Sequence, residues 1–149
     1  MSLMYLEDFQ AGQTFDLGGI EVTHEQVVEF AQQFDPQPFH LDVEAGGKSI
    51  FGGLIASGWH TCSLVMRLAV DGLFSRTATL GSPGVNQIRW ILPVRPGDTL
   101  VAQTRVLAVT PSASKPDRGT VEFKYDVRNQ NDQPVLAMQG ISMFRRRGD

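Results

Sequence analysis

The amino-acid sequence predicts an α+β fold in which an antiparallel β-sheet wraps around one long central α-helix. Two patterns lead to this prediction. Residues 54–74 are apolar on nearly every side, and a helix without a polar face must be surrounded by the rest of the protein. Residues 120–128 alternate between apolar and polar side chains, which is typical of a strand with one buried and one solvated face. Helices towards the front of the chain and strands behind them favour the α+β class.

The first part of the chain predicts strand segments followed by a short helix. Residues 14–17 and 20–22 have the composition of strands and are separated by two glycines. Thr23 and Gln26 then have the spacing of a capping box, and apolar residues follow at helical spacing. We therefore expect a helix over residues 23–34 that leads directly into the next loop.

The second half of the chain predicts the remaining strands of the sheet. Apolar and β-branched runs are separated by proline-, glycine- or asparagine-containing turns, which is the usual signature of antiparallel hairpins. We expect the ten-residue segment between the second and third of these runs to be a mobile hairpin tip at the surface. The predicted strands are residues 85–92, 100–109, 120–128 and 135–144, and the predicted tip is residues 110–119.

Length and charge limit the organisation and the partners of the protein. A chain of 149 residues is the size of one domain with a single core, so we expect one domain over residues 1–149. The net charge is −3 and the acidic residues are spread along the chain, whereas nucleic-acid binders usually have a basic face. No apolar run reaches the roughly 18 residues that span a bilayer. We therefore expect neither a nucleic-acid nor a membrane partner.

Cysteine and histidine usage further restricts the chemistry. Cys62 is the one cysteine of the chain, so no internal disulfide can form, and a cytoplasmic setting fits this usage best. The three histidines are scattered and have no spacing typical of zinc ligands. We therefore expect no bound metal and no cofactor.

One short segment carries the strongest indication of chemistry. Asp35 and His40 lie on a loop in which two prolines fix the backbone, and the glycine pair Gly52-Gly53 follows at the entrance to the apolar run. If a helix begins at this pair, its first N–H groups are free to stabilise a developing negative charge. Each residue also has a plain structural interpretation. Asp35 can bond its own backbone, His40 can be a packed histidine, and the glycines can relieve crowding.

These residues resemble the MaoC-like dehydratases, a family that includes the (R)-specific enoyl-CoA hydratases and has the hot-dog fold. The family pattern is an aromatic residue followed by Asp-x-Asn-Pro-aliphatic-His. Phe34, Asp35, Pro38 and His40 match it, whereas Gln37 stands where the family usually has Asn. The resemblance continues through residues 51–54 and 91–98 and covers most of the chain.

The resemblance implies an acyl-CoA substrate and the reversible addition of water to a trans-2-enoyl thioester. It implies that Asp35 and His40 form the catalytic dyad and that the backbone N–H of Gly53 stabilises the thioester oxygen. It further implies that Thr61 carries a supporting hydroxyl and that Gly52 and Gln37 support the site or the substrate. Hot-dog relatives associate through their sheets, so a homodimer or a higher homo-oligomer is also expected.

Two other functions remain open from the sequence. A hot-dog thioesterase would also use a carboxylate near the start of the helix, although the Asp-to-His loop favours hydration. A non-catalytic module that binds acyl-CoA would keep the cavity without the reaction. Ser57 and His60 are interpreted as packing residues, and the terminal run Arg145-Arg146-Arg147 is interpreted mainly as a solvated tail rather than a CoA-phosphate contact.

Overall fold

The computed structural model describes residues 2–148, so the two ends of the predicted domain over residues 1–149 lie outside the described residues. Within this range one sheet packs against helices, and the second half of the chain consists mainly of β-strands. The strands are β1 (Thr14–Glu21), β2 (Thr79–Trp90), β3 (Thr99–Pro111), β4 (Arg118–Arg128) and β5 (Pro134–Arg145). The α-helices are α1 (His24–Phe34), α2 (Pro38–Leu41), α3 (Val43–Lys48) and α4 (Gly58–Gly72), with 3₁₀ turns at Leu6–Asp8 and Phe74–Arg76.

The five strands that the described residues form lie in the order β1-β3-β4-β5-β2, and every neighbouring pair is antiparallel. The alternation expected for residues 120–128 is confirmed in β4, whose inward side chains are all buried and join the hydrophobic core. These inward residues are Val121, Phe123, Tyr125 and Val127. The α+β prediction of an antiparallel sheet packed on a long helix is therefore confirmed.

The central helix is shorter and less enclosed than the apolar run predicted. Residues 54–57 are not helical: the Ile55 N–H donates to the Phe39 carbonyl and the Ala56 N–H donates to the Val94 carbonyl. These bonds hold the segment extended, so α4 begins only at Gly58. One side of α4 packs on the sheet, but its other side leaves Trp59 56% and Met66 45% exposed. The prediction of a helix covered on all sides is wrong.

Several strand boundaries also differ from the prediction. β1 is continuous through its two glycines, because a β-bulge between Asp16 and Gly18 absorbs the irregularity, with Gly18 at φ +85°. β2 begins six residues earlier than expected, at Thr79. The pairing of this added part with β5 is interrupted by shifts in register. β3 and β4 extend into the predicted tip, so the connection between them spans residues 112–117.

The helix that precedes Asp35 agrees with its capping signal. The Thr23 hydroxyl accepts a hydrogen bond from the Gln26 N–H at 3.2 Å, and the Gln26 side chain accepts one from the Thr23 N–H at 3.3 Å. These two bonds satisfy donors that the first turn of a helix leaves free. The predicted α1 and its capping box are confirmed, and the far end of this helix delivers the chain to Asp35.

Over residues 2–148, no helix combines the length and the apolarity that crossing a membrane requires.

Candidate active site

Asp35 and His40 are held by two consecutive short elements. Asp35 directly follows the last residue of α1 as its C-cap, and its N–H still donates to the Ala31 carbonyl. Pro38 begins α2 at the first helical position, where its missing N–H costs nothing and its fixed φ suits a helix. α2 then turns His40 inward, so that this side chain is only 4% exposed. Residues five positions apart in sequence thus face each other.

The geometry of the dyad defines which nitrogen of His40 is basic. His40 Nδ1 lies 2.7 Å from the Ile55 carbonyl oxygen, which can only accept, so Nδ1 carries a proton and donates it. His40 Nε2 lies 3.3 Å from Asp35 Oδ2. In the neutral imidazole, Nε2 therefore presents its lone pair on the side of Asp35.

Two side chains donate to the Asp35 carboxylate. Gln37 Nε2 donates to Oδ1 at 2.6 Å, and the Ser57 hydroxyl donates to Oδ2 at 2.7 Å. Burial acts to raise the pKa of Asp35, but these two hydrogen bonds and the positive charge of protonated His40 outweigh it. The pKa of Asp35 is lowered from its ordinary value of 3.8, so this group is a carboxylate at neutral pH.

The dyad opens onto a cavity of about 410 Å³. Its lining combines buried aliphatic side chains with partly or fully exposed aromatic ones, and Asp35 and His40 are the ionisable groups among the described lining residues. An apolar cavity with a few convergent polar groups is the usual form of a small-molecule site. Representative lining residues are Phe39, Ile55, Val94, Val135, Trp59 and Trp90.

The start of α4 lies at the same cavity. Gly58, the first residue of the helix, lines the cavity, and N–H groups in a first helical turn have no intrahelical acceptor. The Trp90 ring covers Gly58: its Nε1 donates to the Gly58 carbonyl at 2.9 Å, and a Cβ on Gly58 would lie 2.6 Å from that nitrogen. A side chain would not fit without displacing the ring, which explains why glycine occupies this position.

The glycine pair selected from the sequence lies elsewhere. Gly52 and Gly53 precede the helix by five residues or more and are not among the described residues that line the cavity. Arg95 holds this turn by donating to the Phe51 carbonyl at 2.5 Å, and a Cβ on Gly53 would meet Arg95 Nη1 at 2.8 Å. The expectation that Gly53 stands at a helix start is therefore wrong, because residues 54–57 run extended.

The supporting hydroxyl is also a different one from that expected. Thr61 is buried and lines the cavity, but its hydroxyl donates back along α4 to the Ser57 carbonyl, at 3.5 Å. The hydroxyl that contacts the dyad belongs to Ser57, which the sequence analysis assigned to packing. Serine is among the residues preferred directly before a helix, and this preference was the available signal.

The remaining histidine and arginine candidates lie outside the dyad. His60 is buried and stacks on Phe30 with ring centroids 4.9 Å apart, and burial lowers its pKa. Arg146 pairs with Glu7 and Arg147 pairs with Asp8. These ion pairs join the two ends of the described chain, so Arg146 and Arg147 have acidic partners within the protein.

Comparison with known proteins identifies the family. The MaoC like domain matches residues 8–129 of this chain. The chain belongs to the MaoC-like dehydratase family. An uncharacterized protein of Bacillus subtilis, YdeM, is 32% identical over 133 residues, which are 89% of this chain and 93% of that protein.

Solved structures agree with this assignment. A MaoC-like dehydratase from Rhodospirillum rubrum is 44% identical, with a TM-score of 0.90 over 98% of this chain and 99% of that one. The R-hydratase PhaJ1 from Pseudomonas aeruginosa shares the fold at 21% identity, with a TM-score of 0.77 over 97% of this chain and 88% of that one. A Mycobacterium tuberculosis protein described as a double hotdogfold matches at 18% identity and a TM-score of 0.86, over 99% of this chain and 46% of that one. The predicted family and the hot-dog fold are confirmed.

Proposed function

We propose that this MaoC-like protein is a hydratase that adds water reversibly to a trans-2-enoyl-CoA thioester, giving a 3-hydroxyacyl-CoA. The observation that carries the proposal is the approach of His40 Nε2 to within 3.3 Å of Asp35 Oδ2 at the wall of an apolar cavity. Two acceptors at this separation can both contact one water molecule at hydrogen-bond distance. The name of the similar R-hydratase agrees with this reaction.

The first step of the proposed reaction uses His40 as the base. Its Nδ1–H is committed to the Ile55 carbonyl, so the Nε2 lone pair is available to take a proton from water. As that O–H bond breaks, the water oxygen bonds to the β-carbon of the enoyl thioester. The ionised Asp35 orients the water and stabilises the imidazolium that results.

The second step places negative charge on the thioester oxygen and then removes it. We propose that the N–H of Gly58, rather than that of Gly53, stabilises the enolate oxygen, because Gly58 both starts α4 and lines the cavity. The proton on His40 Nε2 then moves to the α-carbon as the enolate collapses. Water has been added across the double bond, and His40 has returned to its neutral form.

The composition of the cavity supports an uncharged acyl group. Its described lining residues include no lysine or arginine, and the one carboxylate, Asp35, would repel an acyl chain that ends in a carboxylate. Burying such a charge without a cationic partner is costly. We therefore propose apolar enoyl-CoA esters as the substrate class.

A direct assay separates hydration from the alternatives. The protein is mixed with crotonyl-CoA, while the absorbance of the conjugated thioester and the release of free thiol are followed together. Loss of absorbance without thiol release supports the proposal. Thiol release would instead indicate a thioesterase, and binding of crotonyl-CoA with neither change would indicate a binding module; either outcome contradicts the hydratase.

We further propose that the protein forms a homodimer. In the described residues β2 is an edge strand of 12 residues that is mostly exposed, and exposed edges tend to be paired or covered. An apolar strip on α4, formed by Trp59, Met66 and Val70, continues into Trp90 at the end of β2, where the two indole rings lie 5.2 Å apart. A second copy would cover both features.

The free Cys62 supports a cytoplasmic setting.

A further inference from the structure

Ser57 connects the start of the central helix to the dyad. Its side chain is fully buried, with 0% exposure, in contrast to most residues that cap helices at a surface. The Ser57 hydroxyl oxygen accepts a hydrogen bond from the Trp59 N–H at 3.3 Å, as a capping residue does. The same hydroxyl lies 2.7 Å from Asp35 Oδ2, across 22 positions of the chain.

The direction of these two hydrogen bonds is fixed by chemistry. A carboxylate can only accept, so the hydroxyl hydrogen of Ser57 points at Asp35. The Trp59 N–H can only donate, so it takes a lone pair of the same oxygen. The Ser57 hydroxyl therefore has one orientation that satisfies both partners, and a hydrogen bond to an ionised group is among the stronger kinds.

Asp35 is thus held at both oxygens by two different elements. Gln37, two positions further along the chain, holds Oδ1, whereas Ser57 holds Oδ2, the oxygen that faces His40 Nε2. The Asp35 side chain is 18% exposed, so without the hydrogen bond from Ser57 it has room to rotate towards solvent. The bond from Gln37 to Oδ1 alone leaves the carboxylate free to pivot about that oxygen, so a second bond is needed to fix the distance from Oδ2 to His40.

We propose that Ser57 is a positioning residue, which fixes Asp35 Oδ2 beside His40 Nε2 and ties the dyad to the start of α4. This inference rests on the proposed hydration reaction. Ser57 directly precedes Gly58, the donor assigned to the enolate oxygen. A shift of Ser57 would therefore change the water site and the oxyanion site together, and misplacement of about 1 Å can cost roughly 10²-fold in rate.

The test compares variants that separate capping from positioning. Ser57→Gly removes the hydroxyl but leaves a residue that starts helices nearly as well as serine, while Ser57→Ala removes both functions. Ser57→Thr keeps the hydroxyl. Ser63→Ala is the matched control, because Ser63 lies on the same helix, is exposed and donates only to the Trp59 carbonyl. Circular dichroism establishes that each variant is folded.

Two readouts are taken on each variant. The pKa of Asp35 is measured by carboxyl ¹³C NMR titration without substrate, and kcat and KM for crotonyl-CoA are measured across pH. We expect the pKa of Asp35 to rise in Ser57→Gly and kcat to fall by roughly 10²-fold, with KM changed far less. Ser57→Thr restores both values, and Ser63→Ala matches the wild type.

Contrary results are distinguishable from failure of the proposed function. An unchanged pKa of Asp35 and an unchanged kcat in folded Ser57→Gly would overturn the positioning role. An equal loss of kcat in Ser63→Ala would overturn it as well. A wild type that leaves crotonyl-CoA unhydrated contradicts the proposed function, whereas the NMR titration still reports whether Ser57 holds Asp35.

Discussion

At the scale of single residues, the dyad is asymmetric in its hydrogen bonding. The Ile55 carbonyl fixes the tautomer of His40, so its Nε2 is available as a base. Gln37 and Ser57 keep Asp35 ionised in spite of its partial burial. The two groups therefore have different proposed roles, with His40 moving the proton and Asp35 supplying the fixed negative charge.

The lowered pKa of Asp35 predicts a pH dependence of stability. A carboxyl whose pKa is lower in the folded than in the unfolded state stabilises the fold above the unfolded value, near 3.8. That contribution is lost as the pH falls through the lower, folded pKa. We expect the stability advantage of the wild type over Asp35→Asn to shrink across this acidic range.

Urea unfolding of both proteins at a series of pH values measures this difference. The advantage should be constant at neutral pH and decline only below about pH 4 to 5, where the unfolded carboxyl begins to bind protons. An advantage that grew on acidification would mean that the pKa of Asp35 is raised, in conflict with the hydrogen bonds described.

At the scale of elements, the start of α4 controls the site, because Ser57 and Gly58 are consecutive there. Gly58→Ala tests this element directly. The added Cβ would force the Trp90 ring away and break its bond to the Gly58 carbonyl. We expect a loss of about 1–3 kcal/mol in the free energy of unfolding. We also expect kcat for crotonyl-CoA to fall.

Gly47→Ala is the matched control for this change. Gly47 lies inside α3, and no atom lies within 4 Å of the Cβ it would gain. Alanine favours a helix by about 0.5–1 kcal/mol over glycine, so this variant should be as stable as the wild type or more so. Equal kcat in Gly58→Ala and Gly47→Ala would contradict the role assigned to the start of α4.

The capping box of α1 provides a second test at this scale. Thr23→Ala removes the hydroxyl that accepts from the Gln26 N–H, and loss of such a cap typically costs about 0.5–2 kcal/mol. We expect a lower midpoint in chemical denaturation with an unchanged slope. Ser63→Ala, an exposed hydroxyl within α4, should leave the midpoint in place; equal midpoints in both variants would show that the cap contributes nothing.

The elements that the sequence predicted well are those with local signals. The capping box identified α1, and strict alternation identified β4. α2 and α3 were missed because helices of four and six residues are too short to show a periodic pattern. The start of α4 was misplaced because hydrophobicity alone does not distinguish an extended apolar segment from a helical one.

The same distinction applies to the site. Asp35 and His40 are only five positions apart in sequence, so their approach could be expected from spacing alone. The contact between Ser57 and Asp35 joins residues 22 positions apart, and it depends on where the helix begins. The role of Gly53 was inferred from the family resemblance, and the expectation that a helix begins at Gly53 depended on the same misplaced boundary.

At the scale of the whole molecule, the uncovered edge of β2 and the apolar strip on α4 predict a dimer. Light scattering at micromolar concentration should give about twice the mass of one chain. Met66→Glu places a charge in the strip and should shift the protein towards monomer. Leu107→Glu, which alters a partly exposed residue of β3 outside the strip, should remain dimeric. A wild-type monomer would contradict the proposed dimer.

The central claim is that Asp35 and His40 together add water to an enoyl thioester. The most direct test follows the absorbance of crotonyl-CoA with the wild type and with Asp35→Asn, which keeps the size of the side chain and removes its charge. We expect hydration by the wild type and a fall in turnover by roughly 10²- to 10⁴-fold in the variant, with the fold intact. Equal turnover in the two proteins would contradict the dyad.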